Sequence, residues 1–115
     1  MSTGKQFRRI ALSMPHTLEK PHHDRAGFRV DAPKGKMFAT MISDETEANI
    51  FLSVEEQEML CAAEPDIFCP VPNKWGEKAV TTIRLKSADR ATLTSAITMS
   101  SLRAPPPKVL KEFDS

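Results

Sequence analysis

Phe28-Arg29-Val30-Asp31-Ala32-Pro33-Lys34-Gly35-Lys36-Met37-Phe38-Ala39-Thr40-Met41-Ile42 is the stretch whose reading decides the fold. Phe28 and Val30 alternate with Arg29 and Asp31, the period of two expected of a strand with one buried side. Ala32 to Lys36 holds a proline and a glycine and reads as a turn. Met37 to Ile42 is a second apolar run of strand length. Ser43-Asp44-Glu45-Thr46-Glu47 makes another polar turn, and Ala48 to Leu52 a third strand. Connections this short favour an antiparallel meander.

Upstream, the period changes to that of a helix. Phe7, Ile10, Ala11 and Met14 fall at i, i+3, i+4, i+7, with Arg8, Arg9 and Ser13 off that stripe. Thr3 with Gln6 forms a capping box at the start, and Pro15 stops the helix near Met14. Residues 15–27 show no period and read as a connecting loop. Downstream, Ser53-Val54-Glu55-Glu56 is a second capping box, with acids in a first helical turn, and Pro65 ends that helix beyond Ala63. Phe68-Cys69-Pro70-Val71 reads as an edge strand because it contains a proline. Residues 73–78 form a turn before a strand over Ala79–Lys86, in which Val80, Thr82 and Arg84 share one face. Asp89 caps a last helix with Leu93, Ala96 and Ile97 inward, and Pro105-Pro106-Pro107 leaves an extended tail over 105–115. Met14, Met37, Met41, Met59 and Met99 are assigned mostly to packing. The expected order is α-β-β-β-α-β-β-α. It implies one α+β domain over 1–115, a two-layer α/β arrangement of an antiparallel sheet with its helices on one face.

The chain has 115 residues, 40% hydrophobic and 27% charged, with a net charge of +1. That is enough for one core, too little for a separate cofactor module, and too apolar for disorder. No run approaches the roughly 20 apolar residues of a membrane span, and the first residues lack a signal-peptide core. Two cysteines, Cys61 and Cys69, do not make a disulfide framework, so the expected setting is the cytoplasm, with both thiols unpaired. The charges are segregated. Residues 1–36 carry eight basic and three acidic side chains, residues 37–72 carry eight acidic and no basic ones, and residues 73–115 carry eight basic and four acidic.

Chemical motifs are few. The four glycines are too dispersed for a phosphate loop, and there is no Gly-x-Ser-x-Gly elbow. Cys61 and Cys69 do not have zinc-ligand spacing. His22 and His23 stand as a metal or base alternative, with a cysteine as their nucleophilic partner. The acids between 44 and 58 (Asp44, Glu45, Glu47, Glu55, Glu56, Glu58) form a weak hard-cation patch, read first as a solvated turn and helix face. Trp75, in a turn, either folds back on the sheet or stacks on a partner. No catalytic residue, metal site or cofactor is assigned.

Several strings together resemble the MmcQ/YjbR family. They are Ile10-Ala11-Leu12-Ser13-Met14-Pro15, Ala26-Gly27-Phe28-Arg29-Val30, Lys34-Gly35-Lys36-Met37-Phe38-Ala39 and Ala62-Ala63-Glu64-Pro65-Asp66-Ile67-Phe68. Trp75-Gly76, Thr82-Ile83-Arg84-Leu85 and Pro107-Lys108-Val109-Leu110 complete the set. Two places depart from it: Ala79-Val80 stands where the family usually shows Gly-Trp, and Ser100-Ser101-Leu102 where it shows Ala-Trp-Arg. The resemblance implies a fold similar to frataxin and secretion chaperones, with two protruding hairpins likened to DNA-binding wings. On that expectation the wing tips are 32–36 and 73–78, carrying Lys34, Lys36, Lys74, Trp75 and Lys78, with Arg8, Arg9, Arg84 and Lys86 extending a basic face. The expected function is a non-enzymatic binding domain making weak, non-specific contacts with DNA phosphates. The alternatives are a chaperone-like protein-interaction module docking through the acidic middle third, and a small-molecule binder.

Overall fold

The computed structural model describes residues 2–14, 16–22, 25–31, 36–42, 44–72 and 74–103, and the side chains of His22, Trp75 and Arg103 lie outside that description. The tail expected over 105–115 falls beyond these residues. Helix α1 spans Gly4–Ser13, and strands β1 to β4 span Thr17–His22, Arg25–Val30, Met37–Met41 and Glu47–Phe51. Helix α2 is Val54–Ala63, β5 Phe68–Pro70, the one-turn helix α3 Lys74–Glu77, β6 Val80–Arg84 and helix α4 Arg90–Arg103, with a 3-10 turn at Leu85–Ser87 before α4. No described helix is long and apolar enough to cross a membrane.

The helix boundaries follow their caps. Thr3 and Gln6 exchange hydrogen bonds of 3.2 and 2.9 Å at the start of α1. Ser53 and Glu56 do the same at α2. Asp89 accepts from the Thr92 N–H at 2.7 Å to open α4. Each side-chain oxygen satisfies an N–H that the first helical turn leaves without an intrahelical partner.

All strand pairs are antiparallel, and the sheet order is β1-β2-β3-β4-β6-β5. The expected class is thus present, but with one strand more than the expected order. Residues 17–22, read from sequence as loop, form the edge strand β1. It pairs on one side only, so it needs no deep apolar face, and Pro21 costs little where half of the N–H groups have no ladder partner. Strand β2 also begins earlier than expected, at Arg25. At the other end, β6 stops at Arg84, and Leu85–Ser87 leaves the sheet as a 3-10 turn.

The register assigns every strand residue to a face. Phe28, Ala39, Ala48, Ile50, Phe68 and Ile83 point to the side on which α1 and α4 pack. There they join Phe7, Ile10, Ala11, Leu93, Ala96 and Ile97 in one core, with Phe7 edge-on to Phe28 at 5.5 Å. A one-residue shift against Phe28 and Arg29 explains how the consecutive residues Phe38 and Ala39 are both fully buried. Beyond Ala39 and Ile50 the β3–β4 ladder ends, and Ser100 of α4 fills the gap. Its hydroxyl accepts from the Phe51 N–H at 3.2 Å and lies against the carbonyls of Phe38 and Phe51. Helix α2 lies by the β5 edge, where the buried amide of Gln57 donates to the carbonyls of Gly76 and Val80 at 3.1 and 3.2 Å. Of the methionines assigned to packing, Met41 is buried and Met14 and Met99 pack against the core. Met59 is 51% exposed because it lies on the outer side of α2.

Candidate nucleic-acid interface

Strand direction decides which loops meet. Antiparallel pairing makes β2, β4 and β5 run one way and β1, β3 and β6 the other. The β2–β3 turn and the β5–β6 connection therefore emerge at the same end of the sheet. In the strand order their midpoints stand three strand spacings apart, about 14 Å at ~4.8 Å per strand. Lys36 is exposed at the first of them, beside the bond from the Val30 N–H to its own carbonyl. Lys74 and Lys78 are exposed at the second. Arg29, one residue before the end of β2, is exposed on the sheet face away from α1 and α4.

The second tip has more structure than the bare turn expected for 73–78. Lys74–Glu77 is a helical turn, Gln57 ties it to α2, and Ala79 closes it with a bond from its N–H to the Gly76 carbonyl. Gly76 is required there, because a Cβ at that position would run into the Val71 carbonyl oxygen. Ala79 itself adopts φ 70°, the left-handed region in which a Cβ is strained.

Of the nine expected contact residues, those described do not form one surface. Lys36, Lys74 and Lys78 share an end of the sheet, whereas Lys34 and the Trp75 side chain lie outside the described residues. Arg8 is paired with Glu19 at 2.9 Å and with Glu45 at 3.9 Å, so its charge is compensated on the helix side. Arg9 is exposed on α1. Arg84 sits at the far end of β6, about 14 Å from Val80 at ~3.4 Å per residue. Its guanidinium is engaged there with the Pro65 and Asp66 carbonyls and the Cys69 sulfur. Lys86 follows it in the 3-10 turn. Arg84 and Lys86 thus do not extend the basic end, because the strand carries them away from it. Arg29 was missed by sequence reasoning; its signal was its place as the outward residue between Phe28 and Val30.

The alternatives are also sorted by topology. The acidic middle third divides between the β3–β4 turn, where Asp44 caps Thr46, and α2, where Glu56 caps Ser53. Hydrogen bonds from the Thr46 side chain and backbone hold the Asp44 carboxyl below its usual range. A His22–Cys69 pair is ruled out, because β1 and β5 are opposite edges, five strand spacings or about 24 Å apart. Cys61 and Cys69 are free thiols, and burial, then the neighbouring Cys69, hold Cys61 above its usual range. Among the described residues no group of three His, Cys, Asp or Glu side chains is placed to hold a metal ion.

A search of curated proteins gave no match. Among solved structures the chain is similar to the Deinococcus radiodurans protein DR2400, with 23% identity over 99% of this chain and 89% of that one and a TM-score of 0.76. At that identity the likeness concerns the fold alone. The YjbR family model matches residues 12–101, a span that runs from the end of α1 into the last turn of α4. The chain belongs to the YjbR family.

Proposed function

We propose that this protein is a small, non-enzymatic binding domain that holds nucleic-acid phosphates at the end of its sheet. The observation that carries the reading is the strand register. It brings two connections far apart in sequence to one end, with Lys36, Lys74 and Lys78 exposed on them and Arg29 beside them. Lysine at a turn is a flexible point charge suited to phosphate and unsuited to reading base edges, so the contact is weak and independent of sequence. Lys34 lies outside the described residues and is carried into the test as the sequence expectation for the first turn.

The test is a titration of a labelled oligonucleotide followed by fluorescence anisotropy across a salt series. Binding is expected at low salt and falls steeply as salt rises. Replacing Lys34, Lys36, Lys74 and Lys78 by Gln should flatten the slope of log affinity against log salt by roughly 3–4, at ~0.9 or less per phosphate contact. Melting of the variant should stay close to the parent, since exposed substitutions usually change stability by less than about 0.5 kcal/mol each. An unchanged slope in a folded variant would remove the reading.

Helix α2 supports a second reading, a docking face for a basic protein segment. Val54 and Met59 are 49% and 51% exposed on it, beside Glu55 and Glu58.

A further inference from the structure

The face of the sheet away from α1 and α4 is not uniformly polar. Its middle row, read across the strands, is Lys20, Gly27, Thr40, Asn49, Thr82 and Cys69, with Thr82 donating to Asn49 at 2.8 Å. The row nearer the two connections is different. Leu18 pairs with Arg29, Arg29 with Met37, and Phe51 with Val80, so all five share that face. Leu18, Met37 and Phe51 are half-buried, and none of them packs against the core; Val80, 6% exposed, also stands apart from the core cluster. From Leu18 to Val80 the row crosses four strand spacings, about 19 Å at ~4.8 Å each. Lys20 and Arg29 are exposed beside it, and Lys36, Lys74 and Lys78 stand at its open end. Among the described residues, the acids near this row are Asp31 just after β2, Glu77 between Lys74 and Lys78, Glu55 and Glu56 in the first turn of α2 after β4, and Glu47 at the far end of β4.

We infer that this apolar row binds single-stranded nucleic acid, with a base stacked on Phe51 and the phosphates running past Lys20 and Arg29 toward the lysines of the two connections. The inference rests on the proposed phosphate contact and names its substrate. A cationic edge next to an aromatic, apolar strip is complementary to a ligand that is anionic along its backbone and flat and apolar on its bases. A duplex satisfies the cations but keeps its bases stacked inside, so it leaves Phe51 without a partner. An acidic protein segment satisfies the cations but does not supply a run of π-faces.

The experiment compares fluorescein-labelled oligothymidylate with a duplex of the same length, by anisotropy at low and moderate salt. The single strand is expected to bind more tightly than the duplex. Phe51→Ala should weaken single-strand binding on the order of 5- to 150-fold, the range of one lost base–aromatic stack, without changing the salt slope. Phe51→Trp should restore the affinity, and Phe51→Leu, which keeps an apolar side chain without a π-face, should not. Circular dichroism confirms that each variant is folded, as expected for a residue outside the core. Equal or tighter duplex binding, or an unchanged affinity in folded Phe51→Ala, overturns this inference and leaves the phosphate reading standing. No binding of either nucleic acid at low salt overturns both.

Discussion

The two faces of the sheet carry apolar side chains for different reasons. On the helix side, Phe28, Ile50 and Ile83 are sealed under α1 and α4 and belong to one core. On the other side, Leu18, Met37 and Phe51 are half-buried, stand apart from that core and gather toward the end with the lysines. An apolar residue in a strand is therefore not by itself a core residue. A strand's period of two divides its side chains between a face that the fold closes and one that it leaves to solvent or a partner.

The largest effect expected from this contrast is in stability. Ile83→Ala empties a fully buried position and should cost about 2–5 kcal/mol in urea unfolding. Phe51→Ala, on the other face, should cost about 1 kcal/mol, in line with its partial burial. Similar losses for the two would break the comparison and place Phe51 in a packed interior. Next comes Ser100→Ala. It removes from α4 the hydroxyl that fills the gap between Phe38 and Phe51, leaving buried backbone groups unsatisfied. The expected loss is about 1–3 kcal/mol. An unchanged unfolding midpoint would show that the strands re-pair without it.

A smaller effect has the opposite sign. Ala79→Gly relieves a left-handed backbone at the second lysine-bearing connection, worth ~1–2 kcal/mol, against an entropic cost of ~0.5–1 kcal/mol for glycine. The net expectation is a stabilisation of about 0.5–1 kcal/mol, read as a higher melting temperature, and a lower one would refute the strain. The smallest concerns the far end of the sheet, under the start of α4. The backbone and side-chain hydrogen bonds of Thr92 hold the Asp89 carboxyl below its usual range. A depressed native value means that the cap contributes fully above the unfolded value near 4 and is lost as pH falls through the native one. Asp89→Asn keeps a capping oxygen, so it should remove that acid-side loss while leaving stability at neutral pH nearly unchanged. An identical acid profile in the variant would assign the loss to other groups.

Much of this was legible from local patterns. Both capping boxes, the end of α1 near Met14, the inward stripe of α4 and the strands at Met37 and Ala48 follow from spacing and side-chain chemistry within a few residues. The edge strand β1 was not legible, because pairing on one side imposes no strong alternation. Nor were Arg84's contacts just after α2, since the Pro65 and Asp66 carbonyls it reaches lie 19 and 18 residues away in the chain.

By itself the sequence determined the three longer helices, the meander, the family likeness and the uneven spread of charge, all of which depend on neighbours along the chain. Only the tertiary structure decided which charges lie together. It carried Lys36, Lys74 and Lys78 to one end, sent Arg84 and Lys86 to the other, compensated Arg8 with Glu19, and set Cys69 and His22 on opposite edges. The physical reason is that strand order and register are set by non-local pairing. Inserting β6 between β4 and β5 changes which loops are neighbours without changing any local signal.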